Sequence, residues 1–446
     1  MQKLISINPA NNAIIGEVNF DTKAEITAKV QQAHAAKYVW KMLGAIDRVK
    51  MLKPLYPLIE KHTDEIASLI SQEMGKPITQ SRSEVEWSLH YLQDFFDNGP
   101  KYLAQDQEIT YEPIGVAACI APWNFPFSNF VISVIPLLIT GNTVVFKHSE
   151  ECPLIGKMAD NFMQQLKLPE GVFAQVYGDG TVGQQLVEQD INLISFTGSS
   201  ATGKKLYELA GKKFIKAVLE MGGSDPAIIF EDAPLDDIIP QIFSRRFDNC
   251  GQVCCAVKRL IVHEAIYDTV VAELVAYLKP IKIGEPADPQ TQLGPLAAAR
   301  QLELLESQVN ASVKAGAVVA CGGKKPEGLA GAYYLPTILT HIDRTMPAWK
   351  EELFGPVLPI IAFKSETEAL ELANDTSYGL SAVVYSNDKE RARRIAKQID
   401  AGCVDINFAS HWKPCNPFGG YKASGIGRIY GKHGFQELCQ IKVIAE

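Results

Sequence analysis

The sequence predicts an α/β protein made of two doubly wound domains and a small β arm. Three observations carry that expectation. From Pro113 onward, apolar runs such as IGVAACIA and INLISFTG alternate with helical segments, as strands covered on both faces by crossover helices do. The alternation begins again at PAIIFE. At 446 residues the chain is also too long for one core.

The elements follow in order. The first hundred residues read as helical. Thr22 and Glu25 form a capping box ahead of a helix carrying Ile26, Val30 and Ala33. HTDEIASLISQEM stops at Gly75 with Pro77 beyond it, and a further helix covers about 79–98. QDQEITYEPIG reads as an exposed strand or hairpin. Then come strand IGVAACIA, helix 130–139, strand NTVVFK, a helix from about Pro153, strand VFAQVY, helix 182–188, strand INLISFTG, a helix from about Ala201 and strand IKAVLEM. The second series runs through PAIIFE, KRLIVH, a helix Tyr267–Leu278, a helix 296–315, AVVACGG, VLPIIAF, LSAVVYS and CVDINFA. CQIKVIAE closes the chain as a strand. The expected domains are 1–102 with 114–221, then 222–409, with an arm from 103–113 and 437–446. The two arm strands lack an obvious partner in the alternation, which suggests an arm that pairs with something else, another subunit being one candidate.

Composition narrows the function classes. A net charge of −8 with no basic run leaves no electrostatic footprint for nucleic acid. MQKLISINPANN lacks the apolar core of a signal peptide. The longest apolar stretch, 130–139, contains Pro136 and falls far short of the ~20 residues that span a bilayer. Nine cysteines without regular spacing fit a reducing, cytoplasmic setting. CxxxCC at Cys250, Cys254 and Cys255 has no second cysteine pair or HExxH beside it, so no metal site is expected.

Several motifs could carry chemistry. FDNCGQVCCAVKR sets Cys254 near Asn249 and Gln252 just before an apolar strand, and LEMGG places Glu220 at another strand end. A thiol and a carboxylate together can make and hydrolyse a thioester, although a lone cysteine is more often a small buried hydrophobe. FTGSSATGKK puts Gly198, Ser199 and Gly203 at a strand-to-helix turn suited to a phosphate; an ordinary turn is the alternative. Lys147 and Glu150 of FKHSE stand at a carboxyl strand edge, where ligands bind in open sheets, or on a solvated strand end. In PWNFP, Asn124 could donate to an oxyanion or form a turn. EELFGPV holds Glu352 and Phe354.

Together PWNFP, FTGS, LEMGG, GQVC, EELFGPV and PFGGYKASGIGR, in this order, resemble the NAD(P)-dependent aldehyde dehydrogenase superfamily. The resemblance extends from SINPAN to the last strand. FKH, LEMGGSDP, GQVCCAVKR, IGEPADPQTQLGPLA and HGFQELCQIK look like its short, succinate semialdehyde dehydrogenase-like branch. It implies a Rossmann-type cofactor domain, a catalytic domain, a β oligomerisation arm, and a homodimer or homotetramer. It implies oxidation of a small aldehyde with NAD, NADP being possible; Glu150 would repel a 2′-phosphate. Cys254 would be the nucleophile and Glu220 the general base. Asn124 and the Cys254 N–H would form the oxyanion hole. Lys147 and Glu150 would hold the adenosine ribose, Ser199 the pyrophosphate and Glu352 the nicotinamide ribose, with Ile120, Trp123, Gly183, Gly198, Gly203, Met221 and Phe354 completing the cofactor site.

The chain departs from this pattern at the substrate. Carboxylate-binding members usually carry arginines where Ile132 and Asp248 stand here. Lys413 and His411 could replace that charge. The alternative is a neutral aliphatic or aromatic aldehyde packed on Phe127, Phe130, Phe247 and Trp412, and a cysteine esterase without redox chemistry is a further reading. Cys250 and Cys255 could capture an oxidised Cys254 as a disulfide, or simply pack.

Overall fold

The computed structural model describes residues 2–104 and 108–445. The chain opens with an antiparallel hairpin, Lys3–Ile7 against Ile14–Asn19, which corrects the all-helical reading of the first hundred residues. KLISI alternates exposed and buried side chains, a strand period compressed into five residues. Asn12, at φ 63, turns the chain between the strands. Inward-facing Ser6 donates to Glu73 at 2.6 Å and so ties the hairpin to helix Thr63–Met74. The Thr22–Glu25 capping box forms ahead of helix Lys23–Met42.

The first sheet has six strands in the order Gly425–Ile426, Lys216–Glu220, Leu193–Thr197, Val116–Ile120, Thr143–Lys147, Phe173–Val176. All are parallel except the short first one. Parallel strands bury both faces. One face packs on helices Lys23–Met42, Gly180–Glu188 and Ser200–Lys213 through Val30, Leu186 and Leu206. The other packs on helix Pro126–Ile139 through Phe127, Phe130 and Val134.

The second sheet orders seven strands as Val318–Cys321, Thr337–Thr340, Val357–Phe363, Val257–His263, Asp225–Ile229, Ser381–Tyr385, Cys403–Ile406. Only the Val318–Cys321 edge is antiparallel. Strand Thr337–Thr340 and helix Leu235–Phe247 are additions to the elements expected from sequence.

The arm strands partner each other: Ile109–Pro113 pairs antiparallel with Cys439–Val443. The ribbon therefore satisfies itself along one edge, and Glu112 binds both Lys41 (2.9 Å) and Lys442 (2.5 Å). Of the segments assigned to the two domains and the arm, residues 1, 105–107 and 446 lie outside the described residues. Among the described residues no helix is long and apolar enough to cross a membrane.

Candidate active site

Helix Leu235–Phe247 ends in a turn where Asn249, Cys250 and Gly251 all take left-handed backbone, φ 54, 55 and 72. Two non-glycine residues in that region are costly and need support. The Asn249 N–H donates to Gln80 Oε1 at 2.7 Å, and Gln252 Nε2 donates to the Asn249 carbonyl at 3.0 Å. A Cβ on Gly251 would strike the Gly355 carbonyl. The turn delivers a half-buried Cys254 just before strand Val257–His263. Lys258, buried at the base of that strand, donates to the Cys254 carbonyl at 2.5 Å and pairs with Glu352 at 2.9 Å. The Cys255 thiol and then Lys258 hold the Cys254 thiol below its ordinary pKa, against burial and the carboxylates of Asp225 and Glu352. Cys250 is buried in the second sheet's core, which favours packing as its role.

Asn124 sits between strand Val116–Ile120 and helix Pro126–Ile139. Its side-chain amide donates to the Gln252 carbonyl at 3.1 Å. Its own carbonyl accepts from Asn249 Nδ2 at 2.8 Å and Lys76 Nζ at 3.0 Å. Lys76 is fully buried, paired with Glu84 and seated over the Phe125 ring at 3.9 Å. Glu84 in turn accepts from the Phe127 and Ser128 N–H groups at 3.0 and 3.1 Å. Asn124 is thereby fixed to the cysteine turn from two sides. Asn249 and Gln252 stand out in the sequence beside Cys254; Lys76 and Glu84 do not, and Lys258 is signalled only as a charge inside an apolar strand.

Glu220 ends strand Lys216–Glu220 and is 3% exposed. Neither carboxylate oxygen has a hydrogen-bond partner among the described residues. Burial raises its pKa well above the ordinary carboxylate value; a Cys254 thiolate raises it further and Arg428 opposes the shift. An ionisable group of this kind, with no partner to lock it, is suited to exchange protons.

The predicted cofactor residues gather at the carboxyl edge of the first sheet and across the junction between the sheets. Lys147 Nζ lies 3.4 Å from Glu150 and 3.1 Å from the His148 carbonyl. A Cβ on Gly183 would touch Lys147 Cδ at 3.4 Å and Ile120 Cδ1 at 3.9 Å, so these residues lie against one another. Ser199 caps helix Ser200–Lys213 by accepting from the Thr202 N–H. A Cβ on Gly198 would meet the Phe196 ring, and one on Gly203 would meet Met221 Sδ. Glu352 lies on the Gly222–Gly223 turn and accepts from the Gly223 N–H at 3.2 Å. Phe354 meets Trp123 edge-on, centroids 5.6 Å apart. A turn without side chains, a capped helix N-terminus and a buried lysine beside a half-exposed glutamate fit a dinucleotide.

The predicted substrate residues divide. Phe127 and Phe247 are 0% exposed, each in a different core, and Phe130 lies beside Phe127 in the first. The rings pack between helix and sheet, so their assignment to a substrate mouth is corrected. His411 is held by Asp405 (Nδ1 to Oδ2, 3.1 Å), which Arg245 also binds at 2.9 Å. Its ring already serves a structural pair. Trp412, 36% exposed, faces Trp87 edge-on at 5.9 Å, and Lys413 is exposed. Asp248 accepts from Ser244 at 2.6 Å, and burial raises its pKa.

Comparison with known proteins agrees with this architecture. The model of the aldehyde dehydrogenase family matches residues 2–444. A putative aldehyde dehydrogenase of Staphylococcus aureus (strain bovine RF122 / ET3-1) is 36% identical, over 98% of this chain and 94% of that protein. The succinate-semialdehyde dehydrogenase (NADP+) of Deinococcus radiodurans is 35% identical over the same shares. Among solved structures, betaine aldehyde dehydrogenase of Staphylococcus aureus in complex with NAD+ superposes with a TM-score of 0.95 at 32% identity, over 99% of this chain and 91% of that one. A putative aldehyde dehydrogenase from Burkholderia cenocepacia gives 0.95 at 34% identity, over 99% and 94%.

Proposed function

This chain belongs to the aldehyde dehydrogenase family, enzymes that oxidise an aldehyde group, and we propose that it does so through a thioester on Cys254. What supports the reading is a half-buried Cys254 thiol within electrostatic reach of the buried Glu220 carboxylate, which has no hydrogen-bond partner among the described residues. Cys254 thiolate adds to the aldehyde carbonyl. Asn124, with the Cys254 N–H, stabilises the oxyanion without bringing a charge. Loss of hydride from that carbon leaves the thioester. Glu220 then takes a proton from water as its oxygen bonds to the acyl carbon; the C–S bond breaks and the thiolate is regenerated.

NAD, when bound, supplies the hydride acceptor. Lys147 and Glu150 would hold its adenosine ribose, Ser199 its pyrophosphate and Glu352 its second ribose, with Ile120, Trp123, Gly183, Gly198, Gly203, Met221 and Phe354 shaping the surroundings. Glu150 favours NAD over NADP, because a carboxylate accepts from free ribose hydroxyls and repels a phosphate. The domain division given above, 1–102 with 114–221 for the cofactor and 222–409 for the nucleophile, is part of this reading. So is a homo-oligomer, for which the exposed Ile441 and Val443 of the ribbon offer an apolar edge. A cytoplasmic setting accords with nine free cysteines.

The substrate we propose is an aldehyde without a carboxylate. Asp248, and Ile132 with no charge to offer, give such a group nothing to bind. A second reading, succinate semialdehyde, draws on the Deinococcus radiodurans relative and on the exposed Lys413. A panel of aldehydes with and without a carboxylate, with NAD and with NADP, separates the two. The expected result is a higher kcat/KM for propanal or benzaldehyde than for succinate semialdehyde, with NAD preferred. A tenfold advantage for the carboxylated substrate would reverse the assignment; that is about 1.4 kcal/mol of discrimination.

A further inference from the structure

Lys258 stands on strand Val257–His263, which is flanked by strands Asp225–Ile229 and Val357–Phe363. Gly223 and Glu352 lie just before those two neighbours. The Lys258 side chain is 1% exposed, and an ammonium taken out of water is costly unless its charge is met. Three oxygens meet it: the Val253 carbonyl at 2.9 Å, the Cys254 carbonyl at 2.5 Å and Glu352 Oε1 at 2.9 Å. The Gly223 N–H donates to the same Oε1 at 3.2 Å. Both contacts of the Glu352 carboxylate thus fall on one oxygen. The other, Oε2, is turned over Gly222, where an added Cβ would strike it.

The next residue, Arg259, is as deeply buried and shows a cation that serves only the fold. Its guanidinium donates to the Ser224, Leu372 and Ala373 carbonyls at 2.9, 2.7 and 2.8 Å and lies over the Trp349 ring at 4.8 Å. None of those acceptors is a carboxylate or belongs to the cysteine turn. Lys258 instead joins the backbone of Cys254 to a carboxylate whose side chain is 18% exposed. An apolar side chain would fill the same space at lower cost. The charge is explained by what it orients.

We propose that Lys258 is a positioning residue that couples the Cys254 turn to the cofactor site, holding one oxygen of Glu352 so that the other is presented to the nicotinamide ribose. The inference rests on the readings of Cys254 as nucleophile and of Glu352 as the residue that holds this ribose. A carboxylate already fixed through one oxygen loses little freedom when a hydroxyl donates to the other. The same ammonium favours a thiolate on Cys254. The thiol is also faced by Cys255, by Asp225 on the neighbouring strand and by Glu352. Glu220, ending strand Lys216–Glu220, and Tyr430, ahead of helix Gly431–Glu437, face it from the first domain. The carboxylates oppose a thiolate, and Lys258 offsets them. Without its charge the thiol titrates at higher pH, and alkylation, which needs the thiolate, moves with it.

The test compares the parent with Lys258→Met, which removes charge and donors, and with Lys258→Gln, which keeps an N–H donor without the charge. Each is made alone and together with Glu352→Gln, and melting temperatures identify the folded variants. Two measurements need no turnover. Calorimetric titration of the aldehyde-free enzyme gives the Kd for NAD. Mass spectrometry of the Cys254 peptide gives its alkylation rate by iodoacetamide against pH, without NAD. Both Lys258 variants are expected to bind NAD about tenfold more weakly than the parent, as loss of one charge-assisted contact would produce. Their alkylation midpoints are expected at higher pH. Beside Glu352→Gln, the Lys258 substitutions are expected to change the Kd by less than about twofold, because the two residues act as a pair. Either a parent-like Kd or a parent-like midpoint in a folded Lys258 variant would overturn the proposal. An undiminished loss beside Glu352→Gln would also overturn it, since Lys258 would then act on NAD by another route. If Glu352→Gln alone binds NAD like the parent, the ribose assignment itself fails. If enzyme fully alkylated at Cys254 still oxidises propanal, the nucleophile assignment fails.

Discussion

At the residue scale the site depends on two groups held in opposite protonation preferences. Cys254 is drawn toward thiolate and Glu220 toward the neutral acid, so in the proposed mechanism Glu220 acts as base only once pH has risen through its raised pKa. The acid limb of the steady-state pH profile is expected above the ordinary carboxylate range, and Glu220→Gln is expected to abolish turnover. The same shift affects stability. A carboxyl with a raised folded pKa stabilises the fold fully below its unfolded value of 4.5 and loses that contribution as pH rises through the folded value. The melting temperature of Glu220→Gln relative to the parent should therefore climb across that window; a flat difference would contradict the shift. Asn124→Ala is expected to lower kcat by about 10²–10³ with little change in KM, the usual effect of losing one oxyanion donor. Steady-state kinetics checks it.

At the scale of elements, the proposed oxyanion donor is only as well placed as the helices beneath it. The turn before helix Ile78–Tyr102 supplies Lys76, and that helix supplies Glu84, which accepts from the N-terminal turn of helix Pro126–Ile139. Lys76→Met would leave a buried carboxylate without its cation and is expected to cost about 3 kcal/mol of stability, read as a loss of melting temperature and of denaturant midpoint. A variant as stable as the parent would show that the pair contributes little. None of this is legible in the sequence, because Lys76 meets Asn124 across 48 positions of chain and Glu84 meets Phe127 across 43. The parallel strands were legible, since burial on both faces leaves a continuous apolar run. The N-terminal hairpin was not: five residues of KLISI carry too short a period to stand out before a long helical region. Phe127 and Phe247 fail as substrate contacts for a related reason. Apolarity marks burial, and it does not distinguish a core from a pocket.

At the scale of the whole molecule, Glu220, at a strand end of the first sheet, lies within electrostatic reach of Cys254, just before a strand of the second. Order and spacing of the motifs identified the family, and the family carries the fold. They left the ribbon's partner open, because strand pairing between residues 109–113 and 439–443 has no local signature. The substrate is also a property of the assembled chain: Trp87 and Trp412, which meet edge-on, arrive from distant segments. In the proposed mechanism Cys254 is transiently acylated and Glu220 promotes hydrolytic release of the acyl group. Intact-mass measurement of Glu220→Gln after mixing with propanal and NAD tests it most directly. The expected result is a chain heavier by one propanoyl group on Cys254 and about one NADH per active site. An unmodified chain that goes on forming NADH would contradict it.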